Sequence, residues 1–436
     1  MLVSLGATGC GAPPAEPVTA PHREDVARWA VSQIVRALPD RLLAGQLLMV
    51  GIENDADGRP LVSLDDAARV MIADVQPGAA VLFGRTFASI EQVASLVGEL
   101  DSVPFVRPIV ATDYEGGLVS RLTTTGGVPA TPIPSAADVG RAMAALASVN
   151  GASSAAVGDE RDDPLALARR LGGVMGRELR SLGVTMNFAP VADVNPPGGV
   201  GAIGRHGRAY GDDPGLVGRV AAEVVAGLQA EGVAAVVKHF PGHGAVADDS
   251  HDRLPVLDAS AATLRERELA AFRIALEPGP VGLMTGHLVV PSITGPGVPA
   301  SLSPAVTRLA RVELGFDGLV VTDALNMRAL TEIADEPELV VRALEAGADM
   351  VLKPRDPVGA RDAIVAAIAG GRLSREAIER SVERVFLAKR GLGILGAGWL
   401  RVGPAEVDVE SASAVLGAAA HRAVADRVRS LAGGAD

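Results

Sequence analysis

The sequence is poor in the features that mark disulfide-rich, membrane-spanning and nucleic-acid-binding proteins. It has 436 residues but a single cysteine, Cys10, so no intrachain disulfide can form. No run of about 18 apolar residues occurs, which argues against a transmembrane helix. The 40 Lys and Arg residues are outnumbered by 52 Asp and Glu, and the formal charge of −12 offers no basic surface for a phosphate backbone. Hydrophobic residues make up 48% of the chain, enough for one large core.

Short apolar, β-branched runs alternate along the chain with amphipathic, helix-like stretches. The eight runs are Leu47–Ile52, Ala79–Phe83, Pro108–Ala111, Val184–Ala189, Ala234–Val237, Val281–Met284, Gly318–Val321 and Asp349–Leu352. Continuous apolar runs are typical of strands buried on both faces of a parallel sheet. Eight strands alternating with helices predict an α/β fold of the (β/α)8 TIM type. The alternative, a doubly wound open sheet, favours a Gly-rich phosphate loop after the first strand, and residues 51–54 do not supply one.

We expect one catalytic barrel over residues 22–400 and a C-terminal extension over 401–436 with one helix, Ala412–Leu431. The polar stretch Asn150–Pro164 reads as a surface insertion.

Residues 1–21 have a different character. The segment Leu2–Cys10, followed by a Pro/Ala-rich stretch, resembles the end of a bacterial lipoprotein signal and a tether. It lacks a positive start and a full apolar run, which a start codon assigned too late would explain. The alternative is an untidy N-terminus with a chance cysteine. The first interpretation predicts an extracytoplasmic protein anchored through a lipid on Cys10; the second predicts a cytoplasmic one.

Ionisable residues follow most of the predicted strands. Six runs lead into Arg85, Asp113, Asp193, Lys238 with His239, His287 and Asp323, and Lys353 follows the last run. Barrel enzymes carry their active sites at the carboxyl ends of the strands, so the recurrence predicts a catalytic rim, although any one of these residues could be structural.

The segment Lys238–Gly244, with Asp248–His251 after it, is the most informative. Its Pro and Gly residues predict a loop that returns two carboxylates and a histidine over the barrel mouth. Three histidines in fourteen residues also permit a zinc site, but neither cysteine nor a helical His-x-x-x-His accompanies them. An acid/base pair of Asp249 and His251 fits better, since a carboxylate can orient an imidazole that titrates near neutrality.

Two further carboxylates follow buried strands. Asp323 is well placed as a nucleophile, although a helix N-cap is the structural alternative. Asp113 begins a segment with a Gly-Gly turn that ends at Arg121, a set suited to hydrogen bonds with sugar hydroxyls; a purely structural Asp–Arg pair would look the same.

Taken in order, these segments resemble family 3 of the glycoside hydrolases, above all its β-N-acetylglucosaminidase branch. The resemblance spans roughly residues 41–394 and rests on the segments Asp113–Arg121, Asn187–Asn195, Arg208–Gly211, Lys238–Gly244, Asp249–His251 and Thr322–Ala324.

The resemblance implies a role for each matching position. Asp323 corresponds to the catalytic nucleophile, His251 to the acid/base on a loop, and Asp249 to its dyad partner. The residues that correspond to those holding the terminal sugar are Asp113, Arg121, Arg208, Lys238 and His239. No cofactor and no metal are implied.

Three features bear on the branch within the family. The β-glucosidase branch takes its acid from a second α/β domain, whereas this chain ends soon after a helix-like segment at residues 421–424. The loop before Arg208 is two residues longer than usual, which leaves Arg205 as an alternative sugar contact. Ala324 replaces a second Asp found in many relatives.

The resemblance therefore implies a monomeric, retaining exo-β-N-acetylglucosaminidase that acts on a small saccharide from the cell wall and binds no nucleic acid. Three rival functions remain: a β-N-acetylglucosaminide phosphorylase, a β-glucosidase on the same scaffold, and a non-enzymatic sugar-binding lipoprotein.

Overall fold

Eight parallel strands close into a barrel. The computed structural model describes residues 23–54, 58–124, 126–152, 163–247, 253–396 and 407–433. Its strands are β1 (Leu48–Ile52), β2 (Ala79–Leu82), β3 (Ile109–Thr112), β4 (Tyr114–Gly116), β5 (Val119–Ser120), β6 (Met186–Asn187), β7 (Ala234–Phe240), β8 (Gly282–Thr285), β9 (Leu319–Ala324) and β10 (Met350–Leu352). The barrel order is β1-β10-β9-β8-β7-β6-β3-β2, and β4 pairs with β5 in a separate antiparallel hairpin. The predicted (β/α)8 fold is confirmed, and each predicted run overlaps one barrel strand.

The strands are apolar on both faces because they separate two hydrophobic layers. Along β7, Ala234 and Val236 pack in one buried cluster while Ala235 and Val237 pack in another. Neighbouring side chains of a strand point to opposite faces, so one set fills the barrel and the other meets the surrounding helices. Strand β7 also runs three residues beyond the end of the predicted run at Val237, which places Lys238 and His239 on the strand itself.

Helices surround the barrel. They are α1 (Arg23–Ala37), α2 (Asp40–Gln46), α3 (Asp66–Val75), α4 (Ile90–Ser102), α5 (Ala136–Ala152), α6 (Pro164–Ser181), α7 (Pro214–Ala230), α8 (Ala261–Glu266), α9 (Glu268–Ala275), α10 (Pro291–Thr294), α11 (Pro304–Arg308), α12 (Arg328–Thr331), α13 (Glu336–Glu345), α14 (Pro357–Ala369), α15 (Arg375–Gly391), α16 (Val409–Val415) and α17 (Ala419–Leu431). None of these described helices is long and apolar enough to cross a bilayer. The expected surface insertion at 150–164 is partly helical, since α5 continues through Ala152; residues 153–162 lie outside the described part of the chain.

Local sequence explains the start and packing of α6 and α7. Each begins with an Asp-Pro pair, in which the Asp side chain accepts a hydrogen bond from a first-turn N–H and the Pro has no N–H that needs a partner. The two helices then approach closely at Gly227, where a Cβ would lie 2.2 Å from the carbonyl oxygen of Arg169. Only glycine permits this contact.

In the described residues of the C-terminal extension, 407–433, there are two helices, α16 and α17, where one was predicted over Ala412–Leu431. The chain turns between them at Gly417, whose φ of +59° belongs to the left-handed region. The buried Glu178 carboxylate of α6 accepts hydrogen bonds from the Gly417 N–H (2.9 Å) and from His421 Nδ1 (3.0 Å). The extension is therefore attached to the barrel wall through buried polar contacts.

Candidate active site

A cavity of about 860 Å³ opens at the carboxyl ends of the barrel strands. Every predicted site residue in the described part of the chain lines it: Asp113, Arg121, Arg208, Lys238, His239 and Asp323. The predicted acid/base pair, Asp249 and His251, lies outside the described residues. Within the described residues, no three His, Cys, Asp or Glu side chains are arranged to hold a metal ion.

Buried ion pairs connect Asp113, Glu115, Arg208 and Lys238. The Lys238 ammonium lies 2.8 Å from Asp113 Oδ1 and 2.6 Å from Glu115 Oε1. Arg208 donates two hydrogen bonds of 2.8 Å to the same Glu115 carboxylate. Burial alone would raise the pKa of Glu115, but Arg208 and Lys238 hold it well below its usual range. Glu115, Arg208 and Lys238 therefore remain charged at neutral pH. Together with Asp113, they can hydrogen-bond to several sugar hydroxyls.

The two candidate arginines of this loop, Arg205 and Arg208, differ in their position relative to the cavity. Arg208 lines the cavity, whereas Arg205 is exposed and is not among the lining residues.

In the β4–β5 hairpin, Gly116 and Gly117 both adopt positive φ. This tight turn reverses the chain, so that the Arg121 N–H donates a hydrogen bond to the Asp113 carbonyl at 3.0 Å.

The fully buried Asp193 organises the loop after β7. Its Oδ2 lies 2.6 Å from His239 Nδ1, and its Oδ1 accepts a 2.7 Å hydrogen bond from the His243 backbone N–H. Burial opposes ionisation, yet the neighbouring His239 lowers the pKa of Asp193. An ionised Asp193 accepts a hydrogen bond from the His239 Nδ1–H, which leaves Nε2 as the ring nitrogen available to a ligand. The orientation of His239 is therefore determined by Asp193.

Asp323 is at the end of β9 and partly exposed to the cavity. Its Oδ1 accepts a 2.7 Å hydrogen bond from the Ala324 N–H. Burial acts to raise its pKa, but His287, His239 and Lys238 lower it to about 2. The N-cap alternative fails, because the next helix starts only at Arg328 and has no side-chain cap.

His287 is hydrogen-bonded to the residue that follows Asp323. Its Nε2 donates to the Ala324 carbonyl at 3.0 Å, and its Nδ1 lies 2.7 Å from the Ser301 hydroxyl. A carbonyl can only accept, so the proton belongs on Nε2 and the Ser301 hydroxyl donates to Nδ1. Burial also lowers the pKa of His287, in agreement with a neutral ring.

The part of the cavity rim opposite the ends of β3, β6 and β7 is basic. The loops after β9, β10 and β2 bring Arg328, Lys353, Arg355 and Arg85 to the cavity, and we call these four residues the basic arc. Lys353 pairs with Glu53 at 2.8 Å, while Arg85 and Arg355 form no ion pair with any described residue. The whole cavity is lined by seven Lys and Arg side chains and four described carboxylates, in a chain of net charge −12.

Sequence reasoning left several site residues without a role. The sequence predicts Asp193 and His287 only as members of the catalytic rim. Glu115 and His243 lie within the segments 113–121 and 238–244, but the sequence predicts no role for them. Their position after a predicted strand was the available signal. Their partners are distant in sequence, so the hydrogen bonds could not be anticipated.

Comparisons with known proteins agree with this geometry. The sequence profile of the glycosyl hydrolase family 3 N terminal domain matches residues 41–388. The beta-hexosaminidase LpqI of Mycobacterium tuberculosis is 34% identical over 88% of this chain and 90% of its own length. A family 3 beta-N-acetylglucosaminidase from Paenibacillus superposes with a TM-score of 0.74 at 34% identity, covering 91% of this chain and 69% of that one. The solved structure of M. tuberculosis LpqI gives a TM-score of 0.67 at 31% identity, covering 82% of this chain and 96% of that one.

Fold, site and relatives together define an enzyme of the glycoside hydrolase class with a (β/α)8 barrel. The chain belongs to family 3 of the glycoside hydrolases. The predicted likeness to the β-N-acetylglucosaminidase branch is likewise confirmed.

Proposed function

We propose that this chain is a retaining exo-β-N-acetylglucosaminidase that releases terminal N-acetylglucosamine from cell-wall fragments. The observation that carries the proposal is the Asp323 carboxylate, which faces the cavity and remains ionised because its pKa is about 2. An ionised carboxylate at the barrel mouth is the group that a double displacement requires. The named activity of the similar beta-hexosaminidases supports the sugar specificity.

In the first half of the reaction, Asp323 attacks the anomeric carbon and the glycosidic C–O bond breaks. Protonated His251, oriented by Asp249, gives its proton to the leaving oxygen. In the second half, the neutral His251 takes a proton from water, and the resulting hydroxide displaces Asp323 with overall retention. Both members of the dyad lie outside the described residues, so their roles rest on the family resemblance.

The terminal sugar has its binding groups on one side of the cavity. Asp113 and Glu115 offer acceptors, while Arg121, Arg208 and Lys238 offer donors, all from the loops or ends of β3, β6 and β7. Charged groups make stronger hydrogen bonds with hydroxyls than neutral groups do. His239, whose orientation is determined by Asp193, completes the set with a free Nε2.

The basic arc favours an acidic leaving group. Arg85 and Arg355 have no carboxylate partner among the described residues, so a lactyl or peptide carboxylate on the aglycone can pair with them. The negative charge of such an aglycone explains why a histidine suits the acid/base role. A second carboxylate there would repel the anionic aglycone.

Chromogenic glycosides test the activity directly. We expect hydrolysis of N-acetyl-β-D-glucosaminide and little turnover of the matching β-D-glucoside, with β-N-acetylglucosamine as the first product seen by NMR. An activated fluorinated sugar is expected to add one glycosyl unit to the peptide that contains Asp323. The opposite substrate preference would indicate a β-glucosidase, and no labelling or turnover of any glycoside would indicate a sugar-binding protein.

The dyad has its own test. His251→Ala is expected to stall at the glycosyl-enzyme when the leaving group is activated, because no base remains to activate water. Azide, which needs no base, is expected to restore turnover and to yield the β-glycosyl azide. A variant with wild-type turnover on unactivated substrates would contradict the assignment.

A phosphorylase is the second candidate. Arg85 and Arg355, which form no ion pair with any described residue, favour it as well, because phosphate is also an anion. Products made with and without inorganic phosphate separate the two activities. Phosphorolysis predicts N-acetylglucosamine 1-phosphate and a rate that rises with phosphate, whereas hydrolysis predicts the free sugar throughout.

The cellular location follows from Cys10 in this proposal. We propose a lipid on Cys10 that tethers the barrel outside the cytoplasmic membrane; residues 1–22 lie outside the described part of the chain. Fractionation of the wild type and of Cys10→Ala tests it. A wild-type protein found only in the cytoplasmic fraction would contradict the tether.

A further inference from the structure

His243 is a buried histidine that lines the cavity. It follows β7 by three residues, and its ring is 1% exposed. The backbone is held in place by the 2.7 Å hydrogen bond from its N–H to Asp193. Its ring meets that of His239 edge to face, with the centroids 5.9 Å apart. Within the described part of the chain, the imidazole is therefore positioned by the loop backbone, because no hydrogen bond to the ring itself occurs there.

The ring nitrogens of His243 differ from those of the other buried histidines. Neither Nδ1 nor Nε2 of His243 has a hydrogen-bond partner among the described residues. His239, His287 and His421 each have at least one ring nitrogen bonded to a carboxylate, carbonyl or hydroxyl. Buried polar groups in native proteins are nearly always paired, so an unpaired pair of nitrogens at a cavity wall indicates a missing partner from the ligand.

The chemistry of the ring specifies that partner. Burial, with the adjacent His239, lowers the pKa of His243, so the ring is neutral near pH 7 and has one donor and one acceptor. A sugar hydroxyl can match either nitrogen. His243 is beside His239, on the side of the cavity with the proposed sugar-binding groups and away from the basic arc.

We propose that His243 binds the substrate directly, through a hydrogen bond between a ring nitrogen and a hydroxyl of the terminal sugar. This inference rests on the proposed function, since it assumes that the sugar occupies the β3–β7 side of the cavity. It makes His243 a specificity-determining residue alongside His239.

Deoxy sugars identify the hydroxyl. The experiment compares kcat/KM of wild type and His243→Leu on chromogenic N-acetyl-β-D-glucosaminide and on its 3-, 4- and 6-deoxy analogues. We expect His243→Leu to lower kcat/KM on the parent by about 10- to 100-fold, the usual effect of losing one buried hydrogen bond to a substrate. One analogue is expected to be poor for the wild type, yet no worse than the parent for the variant.

Two further variants separate contact from structure. His243→Asn keeps a donor and an acceptor and is expected to recover part of the lost kcat/KM. His206→Leu, a change of the same kind at an exposed position away from the cavity lining, is expected to match the wild type. The melting temperature of His243→Leu is expected to equal or exceed that of the wild type, because the ring has no hydrogen bond to any described residue that the substitution could remove.

The outcomes distinguish this inference from the proposed function. If the wild type hydrolyses no N-acetylglucosaminide, the proposed function fails, and calorimetric binding of the free sugar and its deoxy forms then tests His243 alone. Equal penalties for all three analogues in wild type and variant, or a drop in melting temperature that accounts for the lost activity, would overturn the role of His243.

Discussion

Glu178 on helix α6 and Asp323 at the end of strand β9 are carboxylates of the same domain, but their surroundings differ. Glu178 accepts five hydrogen bonds, from Tyr114, from the backbone and side chain of Thr131, and from Gly417 and His421. Asp323 accepts one within the described residues, from the Ala324 N–H.

The comparison separates groups that hold the fold from groups that await a ligand. The protein itself supplies all the partners of Glu178, so this carboxylate joins three parts of the chain. Asp323 accepts one described hydrogen bond, and the ring nitrogens of the neighbouring His243 have no partner among the described residues. Both residues line the cavity, where substrate can supply further partners. We therefore expect substitution at Asp323 to affect activity and substitution at Glu178 to affect stability.

The largest effect is expected for Asp323→Asn. Removal of the nucleophile is expected to lower kcat by about 10³-fold or more, while the free energy of unfolding changes much less than it does for Glu178→Leu. Steady-state kinetics and urea unfolding of the same preparation measure both quantities. A folded Asp323→Asn enzyme with normal kcat would contradict the nucleophile assignment.

Glu178→Leu tests the other half of the comparison. The change leaves the Thr131 and Gly417 N–H groups buried without an acceptor, and we expect the free energy of unfolding to fall by about 3–5 kcal/mol. Glu332→Leu is the matched control, because Glu332 is in an exposed pair with Arg328 and is expected to contribute less than about 1 kcal/mol. An equal loss of unfolding free energy in both variants would show that the hydrogen bonds of Glu178 stabilise the fold no more than the exposed ion pair does.

Lys389 extends the comparison to the far end of the barrel. Its ammonium is fully buried, and the one hydrogen bond described for it is the 2.6 Å contact with Gln46 Oε1. Burial holds the pKa of Lys389 well below its usual value, so folding must release a proton that the unfolded chain binds. Stability is therefore lost as the pH falls from about 10 toward the folded-state pKa.

Lys389→Met is expected to raise the free energy of unfolding by about 1–3 kcal/mol at pH 7, because a buried polar group without enough partners is removed. The advantage over wild type is expected to shrink as the pH approaches 10. Urea unfolding at pH 6, 8 and 10 measures it, and a difference that does not depend on pH would contradict a neutral Lys389.

The smallest effect concerns the acid limb of the pH profile. Because the pKa of Asp323 is about 2, the nucleophile is ionised throughout the range from pH 4 to 8. With a dinitrophenyl leaving group, which needs no acid, the rate of glycosyl-enzyme formation is expected to stay flat from pH 4 to 6. The contribution of Asp323 to stability likewise exists above its unfolded pKa of about 3.9 and is lost only as the pH falls toward 2. A rate that falls with a midpoint near pH 5 would contradict an ionised Asp323.

Periodicity was a sufficient guide to the barrel but not to every boundary. The eight strands were predictable because a strand buried on both faces is apolar at every position. The amphipathic stretch at residues 263–276 forms two helices, α8 and α9, which meet at Arg267. The single helix predicted over Ala412–Leu431 is likewise interrupted at Gly417. Both interruptions occur inside stretches with helical periodicity. The spacing of apolar residues does not reveal a local change of backbone direction, so these interruptions were not predicted.

By itself, the sequence determined the fold class, the strand order along the chain and the residues at the strand ends, because these depend on side-chain polarity at regular spacing. Only the tertiary structure decided which charges pair. Lys238 meets Asp113 across 125 positions and Glu178 meets His421 across 243, and such contacts arise from barrel closure and helix packing. It also distinguished Glu178, which accepts five hydrogen bonds, from Asp323, which accepts one within the described residues, because burial and hydrogen-bond partners are properties of the folded chain.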